Sequence, residues 1–378
     1  MYLSHVLNLK KIASGFILGV FLFFSTFKTF AAQHENGVET TEHATEEHAE
    51  NHGEHAEEGP YNPTTAILEH IGDSHMWHVI GDISLGLPVI IYTDKGTEFF
   101  SSSKFNHGHD AYQGKYYTYK LVEDNIRVVD AAGNVDKATS YKIYDLSITK
   151  NVVALWIAVA LLLIIFTSVA SAYKKRVGKA PKGLQSFIEP IIVFVRDEIA
   201  RPNIGYRYQR YMPILLTIFF FIWINNLLGL VPLFPGGANV TGNILLTFVL
   251  SFIVLLVVNF SANKYYWKHI LLPDVPWWLY PIMIPVELIG VISKPFALMI
   301  RLYANISAGH IIVLSLISLI FIFKTMFIAP VSVAFVLFMD VLELLVAFLQ
   351  AFIFTMLTAL FIGTAVEEHH HGAEEAHH

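Results

Sequence analysis

PIMIPVELIGVISKPFALMIRLYANISAGHIIVLSLISLIFIFK, residues 281–324, and VSVAFVLFMDVLELLVAFLQAFIFTMLTALFIGTAVE, residues 331–367, carry the reading of the fold. Each is an apolar run near forty residues long, about 60 Å as a helix, whereas a hydrocarbon core is about 30 Å thick. Upright helices of that length overshoot the membrane, and common tilts of about 20° do little to shorten them. Either each run is broken, or the two form a steeply tilted hairpin turning near Ala329 and Pro330. The tilted hairpin is the expectation.

The ionisable groups inside these runs are few: Glu287, Lys294, Arg301 and His310 on the first, Asp340 and Glu343 on the second. Charges in a membrane are costly and usually face a protein interior or a water path. Glu287, Lys294 and Arg301 are spaced by seven, so they form one slowly drifting stripe along a helix. Asn305 shares the face of Arg301 at i+4. His310, nine residues on, points about 180° away. Glu343 and Gln350 again share a face. Pairing for packing alone suits Glu287 and Lys294, whose long side chains near a hairpin end can reach the interface. It suits Arg301 less well. Arginine is permanently charged, so it cannot relay protons, but it can hold an opposing carboxylate ionised. Histidine and glutamate exchange protons near neutral pH when their surroundings shift them. A fixed cation beside a titratable His/Glu set points to ion translocation. Counted from Pro330, His310 and Glu343 differ by seven residues, an axial stagger of about 10 Å.

Outward from the hairpin, the 378-residue chain is 54% hydrophobic and only 15% charged, against about 25% charged in soluble proteins. Its mean hydropathy is +0.51. A net charge of −6 leaves no basic footprint for nucleic acid. The lack of cysteine excludes disulfides, thiolate metal sites and cysteine nucleophiles. No GxxxxGK[ST] phosphate loop occurs. Val152 to Tyr173, Met212 to Phe234 and Ile244 to Phe260 read as three further spans, and the charged stretch 183–205 as an amphipathic interfacial helix. Lys174, Lys175 and Arg176, then Lys264 and Lys268, mark the cytoplasmic side.

Residues 1–31 read as a signal peptide: Lys10 and Lys11, an apolar stretch from Ile12 to Phe27, then Ala31 and Ala32. An uncleaved anchor helix is the alternative. Residues 32–59 are a Glu/His-rich linker, solvated rather than a metal site although His48 and His52 can share a helix face. Residues 60–149 read as a small β-rich extracytoplasmic region. Strands are expected at Tyr117 to Leu121, Ile126 to Val129 and Tyr141 to Leu146, with a turn at Ala132, Gly133 and Asn134. Residues 150–366 are the membrane domain, and 367–378 a His/Glu-rich cytoplasmic tail. The expected fold is an all-α polytopic membrane protein with a long tilted C-terminal helical hairpin, plus the β-rich region.

The stretch SKPFALMIRLYANISAGH, residues 293–310, resembles the signature of subunit a of F-type ATP synthases. LQAFIF at 349–354, NLLGLVP at 226–232 and DSHMWH at 73–78 are similar to bacterial members too, and the resemblance covers roughly residues 150–366. It implies a proton-translocating stator in a bacterial inner (plasma) membrane, with its N-terminal region periplasmic and its C-terminus cytoplasmic. It implies a subunit c ring, a subunit b peripheral stalk and the remaining synthase subunits as partners, alongside membrane lipid. No cofactor, metal or catalytic activity of its own is implied. Arg301 matches the arginine that faces the ring between two aqueous half-channels, and Asn305 and Gln350 match polar residues near it. His310 and Glu343 match two half-channel positions where many relatives carry the acid and the imidazole in the other order. Glu287 matches a further polar channel position. Ala297 and Gly237 depart from small polar and acidic residues found in some relatives. A secondary ion transporter using an intramembrane Arg/His/Glu set is the alternative; it calls for inverted repeats, and none is visible. A membrane cytochrome needs paired axial histidines, and His310 alone lies well inside an apolar run.

Overall fold

The computed structural model describes residue 67 and residues 71–367, apart from 81–82, 109, 123, 131–132, 177, 232–235, 273–274 and 324–327. The expected signal peptide, the Glu/His-rich linker and the tail beyond Glu367 lie outside the described residues.

Eight short strands follow Asp73 among the described residues: β1 (Met76–Ile80), β2 (Ile83–Gly86), β3 (Pro88–Thr93), β4 (Gly96–Ser101), β5 (Tyr112–Gln113), β6 (Thr118–Val122), β7 (Asn125–Val129) and β8 (Tyr144–Asp145). They pair antiparallel as β1-β2, β4-β3-β8 and β5-β6-β7. Period-two alternation sends Val89, Ile91 and Thr93 of β3 inward and Tyr92 outward. Val89 and Ile91 join Phe105, Tyr119, Ile126 and Val128 in one small core. Buried Glu98 organises the far side of that core. Its carboxylate accepts from the backbone N–H of Lys115 at 2.7 Å and Tyr116 at 3.0 Å, and from the Tyr119 hydroxyl at 2.8 Å. Burial first, and then Glu98, push the Tyr119 hydroxyl above its ordinary range, so it stays a donor. A Cβ at Gly114 would lie 2.4 Å from the Glu98 carboxylate, so the turn requires glycine.

The strands expected near Tyr117 and Ile126 are β6 and β7. The strand expected over Tyr141 to Leu146 shrinks to the two residues of β8. The Tyr141 and Lys142 amides instead donate back to the Lys137 and Thr139 carbonyls, at 3.1 and 3.0 Å, at the end of the short helix α1 (Lys137–Ser140). Asp136 caps that helix by accepting from the Thr139 amide at 3.2 Å and the Thr139 hydroxyl at 2.6 Å. Those bonds also hold the Asp136 carboxyl below its usual range.

The β-rich region is hydrogen-bonded to the residues that open the first long helix, α2 (Lys150–Lys175). Asp73 accepts from the Thr149 hydroxyl at 2.8 Å and the Asn151 amide at 3.2 Å, and the Lys150 amide donates to the Ser74 carbonyl at 3.0 Å. A carboxylate at a helix N-terminus satisfies orphan amides and complements the helix dipole.

After α2 come α3 (Leu184–Phe194), a π-helical turn at Val195–Ala200 and the short α4 (Arg201–Ile204). Gly205, at φ 70°, breaks the run before α5 (Tyr208–Leu230). Then follow α6 (Ile244–Ser261), the short α7 (Lys264–Leu271), α8 (Tyr280–Phe323) and α9 (Ile328–Val366). Among the described residues, five helical stretches are long and apolar enough to cross a membrane: Lys150–Lys175, Leu184–Leu230, Ile244–Ser261, Trp277–Phe323 and Ala329–Val366. The protein is therefore a multi-pass, mainly helical membrane protein with a small β-rich region near its N-terminus. α8 and α9 are unbroken over 44 and 39 residues, and α8 stays helical through Pro285 and Pro295. That removes the broken-helix option.

The described chain divides into two compact units, residues 154–308 with 342–367, and residues 71–153 with 309–341. In the first, α5 is the hub, burying Leu215, Ile218, Phe219, Phe220 and Ile222. Ala347, Ala351, Phe354, Thr358 and Ile362 form the buried stripe of α9, with Phe348 edge-on to Phe219 and Trp223. A Cβ at Gly363 would lie 1.9 Å from the Asn203 carbonyl, so only glycine lets α9 cross α4 this closely. Asn263 caps the end of α9, its amide reaching the Ala365 carbonyl at 2.9 Å and its Nδ2 the Val366 carbonyl at 2.8 Å. In the second unit, the Ser332 hydroxyl donates to the Leu316 carbonyl and ties α9 to α8.

Candidate functional site

Arg301 lies on α8 between two groups of polar residues in the first unit. The helix buries Leu298, Met299, Leu302 and Ile306 and turns Ala297, Ile300, Arg301, Ala304, Asn305 and Ala308 outward. The residues around the guanidinium are mostly small, so another chain can approach it closely. Among the described residues Arg301 has neither a hydrogen-bond nor an ion-pair partner. Much less of α8 and α9 is buried than of the stretch 184–230.

One turn beyond Arg301, Asn305 Nδ2 donates to Gln350 Oε1 of α9 at 2.9 Å. Gln350 is buried, and its Nε2 has no partner among the described residues. Nearby, Ser307 donates to the Gly242 carbonyl at 3.4 Å, and the Gly242 amide donates to Asn239 Oδ1 at 3.0 Å. Asn226 of α5 receives the Thr241 hydroxyl at 2.6 Å and donates to the Ala347 carbonyl at 3.3 Å. Asn225 Oδ1, Asn239 Nδ2 and Thr355 Oγ1 are buried without a protein partner among the described residues. Buried polar atoms in a native protein are satisfied by protein or by ordered water. These atoms leave donors and acceptors spare for water.

Before Arg301 the helix carries Lys294 about 10 Å away and Glu287 about 21 Å away by helical rise. Both line a cleft of about 230 Å³ with Tyr266 and His269 of α7 and Thr364 and Glu367 at the end of α9. Water occupies about 30 Å³ per molecule, so the cleft has room for several. Tyr266 is held above the usual phenol range, by burial first and then by the Glu287 carboxylate.

Of the residues singled out by sequence, Asn305 and Gln350 are joined directly. Glu287 sits in the cleft, and Arg301 stands between cleft and cluster along one helix. His310 and Glu343 are both half-buried, on α8 and α9 respectively, and belong to different units. Sequence reading passed over Asn239, Thr241, Ser307, Tyr266, His269 and Glu367. For the first two there was a signal, since amides and hydroxyls between apolar spans need partners; for α7 there was only a lysine-flanked aromatic segment.

Residues 152–363 match the family model described as ATP synthase A chain, and residues 66–146 match a domain of unknown function. The chain is 51% identical over 239 residues to ATP synthase subunit a of Chloroherpeton thalassium, covering 62% of this chain and 71% of that one. It is 47% identical over 240 residues to ATP synthase subunit a 2 of Chlorobaculum tepidum, covering 61% and 67%. With ATP synthase subunit a of an Anaeromyxobacter species the identity is 41% over 267 residues, covering 67% and 64%. The chain belongs to the ATP synthase A chain family. As such it is a proton-translocating subunit of the synthase membrane sector, non-catalytic by itself, that works with other subunits of the complex.

Proposed function

We propose that the chain is the stator against which a ring of subunit c carboxylates rotates, with two aqueous half-channels meeting at Arg301. The observation that carries this reading is the outward, unpaired guanidinium in an apolar membrane helix. A permanent cation at that depth needs an anion, and its own chain supplies none among the described residues. A carboxylate on a neighbouring subunit does. The polar cluster of Asn226, Asn305 and Gln350 belongs to the outer half-channel with His310 and Glu343, and the Glu287 cleft to the cytoplasmic one.

A proton taken up on the outer side neutralises a ring carboxylate, which can then face lipid cheaply. After nearly a full turn the site meets Arg301, gives its proton to the other half-channel and ionises beside the guanidinium. Each charge crossing 100 mV supplies about 2.3 kcal/mol. The hairpin lies steeply tilted, because a 44-residue helix is about 66 Å long against about 30 Å of hydrocarbon. Residues 1–31 export the N-terminal region, which lies outside the cytoplasm of a bacterial inner membrane; subunit b and the peripheral stalk hold the stator still.

Two outcomes are expected. Solubilised gently, the chain should purify with a ring of small hairpin proteins; ion transport by the isolated chain would instead indicate a secondary transporter. Cysteines placed at the exposed Asn134 and at Ala373, in a chain free of native cysteine, should react with an impermeant maleimide from opposite sides of the membrane. Labelling from one side would overturn the orientation.

A further inference from the structure

The domain matched over residues 66–146 has no assigned role, and one face of its β4-β3-β8 sheet is unusual for a solvated surface. Cross-strand register puts Phe99 opposite Ile90, and Thr97 and Tyr144 on either side of Tyr92. The Leu146 amide donates to the Ile90 carbonyl at 2.9 Å, which extends the first row to Leu146. These six side chains carry no charge. Phe99 is 73% exposed and Tyr92 52%, while the opposite face holds the domain core. Among the described residues, charged side chains stand at the rim, with exposed Asp94 and Lys95 at the β3–β4 turn and Lys142 before β8. An exposed apolar patch with a polar rim marks a contact surface.

The chain itself limits what can cover it. Leu146 precedes the first residue of the membrane helix α2 by four positions, at most about 14 Å of extended backbone. Strand spacing of about 4.8 Å adds about 10 Å to reach Phe99. The join is also stiff: the Asp73 carboxylate grips Thr149 and Asn151, and the Ile148 amide donates to the Pro88 carbonyl at 3.1 Å. These bonds hold the sheet to the residues that open α2. Headgroup layers extend about 5–8 Å beyond each side of the hydrocarbon core, and tyrosine and other aromatic rings concentrate at that level.

We propose that the outer face of the β4-β3-β8 sheet is a membrane-interface foot that rests on the lipid headgroups beside α2, with Phe99 and Tyr92 as its aromatic contacts. The domain braces the exported end of α2 against the bilayer. The partner is lipid, continuous with the lipid that α2 already meets.

A photoreactive phenylalanine analogue, introduced at Phe99 or Tyr92, replaces one exposed aromatic ring by another and spares the core. The whole synthase is irradiated in native membranes, and adducts on the chain are read by mass spectrometry. Lipid adducts at both positions, several-fold above those from the analogue at exposed Asn134, are expected. Crosslinks to another polypeptide in place of lipid would overturn the proposal and identify a protein-binding face. Reaction with water alone, or equal lipid yield at Asn134, would overturn it as well.

Discussion

Arg301→Ala is expected to abolish both ATP synthesis and ATP-driven proton pumping, to background in membrane vesicles. The guanidinium faces outward with no hydrogen-bond or ion-pair partner among the described residues, and in the proposed cycle it drives the ring carboxylate to release its proton and keeps the two half-channels apart. Without it a protonated site has no reason to ionise at that point, and protons can pass from one half-channel to the other without rotation. A passive proton leak, measured with an acidified vesicle lumen, should therefore accompany the loss of synthesis. Arg301→Lys should fail largely as well. An ammonium lacks the planar fork of the guanidinium and can lose its proton when desolvated. The comparison separates charge from geometry: near-normal synthesis with lysine would reduce the requirement to charge alone. Normal coupled synthesis with alanine would sink the mechanism.

The membrane part of the fold was legible because apolar runs and flanking lysines are strong signals. The runs at Val152, Met212 and Ile244 became α2, α5 and α6 with ends moved by a few residues. The two long runs left one ambiguity, broken or continuous, that periodicity cannot resolve; α8 runs through both Pro285 and Pro295. The β-rich region was harder. β6 and β7 alternate cleanly, whereas β3 and β4 hide Glu98 on the inward face, and a buried carboxylate reads as a surface residue until its three donors are seen. β8 was overestimated because the Tyr141 and Lys142 amides turn back to carbonyls of α1 instead of pairing with a strand.

The site was legible as a list rather than as an arrangement. Spacing by seven put Glu287, Lys294 and Arg301 on one stripe, and the structure adds that the first two open into a cleft whose other walls come from α7 and the last turn of α9. Asn305 and Gln350 are 45 residues apart in sequence, and nothing local says that their side chains meet at 2.9 Å. The buried partners of Asn226 are likewise long-range. Long-range polar pairing depends on how helices are laid side by side, which a single sequence encodes only through the completed packing.

His310 and Glu343 are expected to act as one proton-handling pair. One is a base and the other an acid, each can exchange protons near neutral pH when its surroundings shift it, and the family resemblance has the two types in exchanged order at these positions. If they share protons, they bind and release them as a unit, and neither can be assigned its own titration. His310→Ala and Glu343→Ala should each slow ATP-driven proton flux. The double alanine variant should be little worse than the more damaged single one, because once the pair is broken its second member has nothing left to contribute. The exchanged variant, His310→Glu with Glu343→His, should recover more flux than the two single exchanges would allow if their effects simply added. A double-mutant cycle on initial pumping rates, with the assembled complex confirmed in every variant, reads the coupling directly. Packing damage alone would also slow the single variants, yet it would not be repaired by an exchange that restores both chemistries. Strict additivity, with no recovery on exchange, would leave two independent polar residues and remove the pair from the outer half-channel.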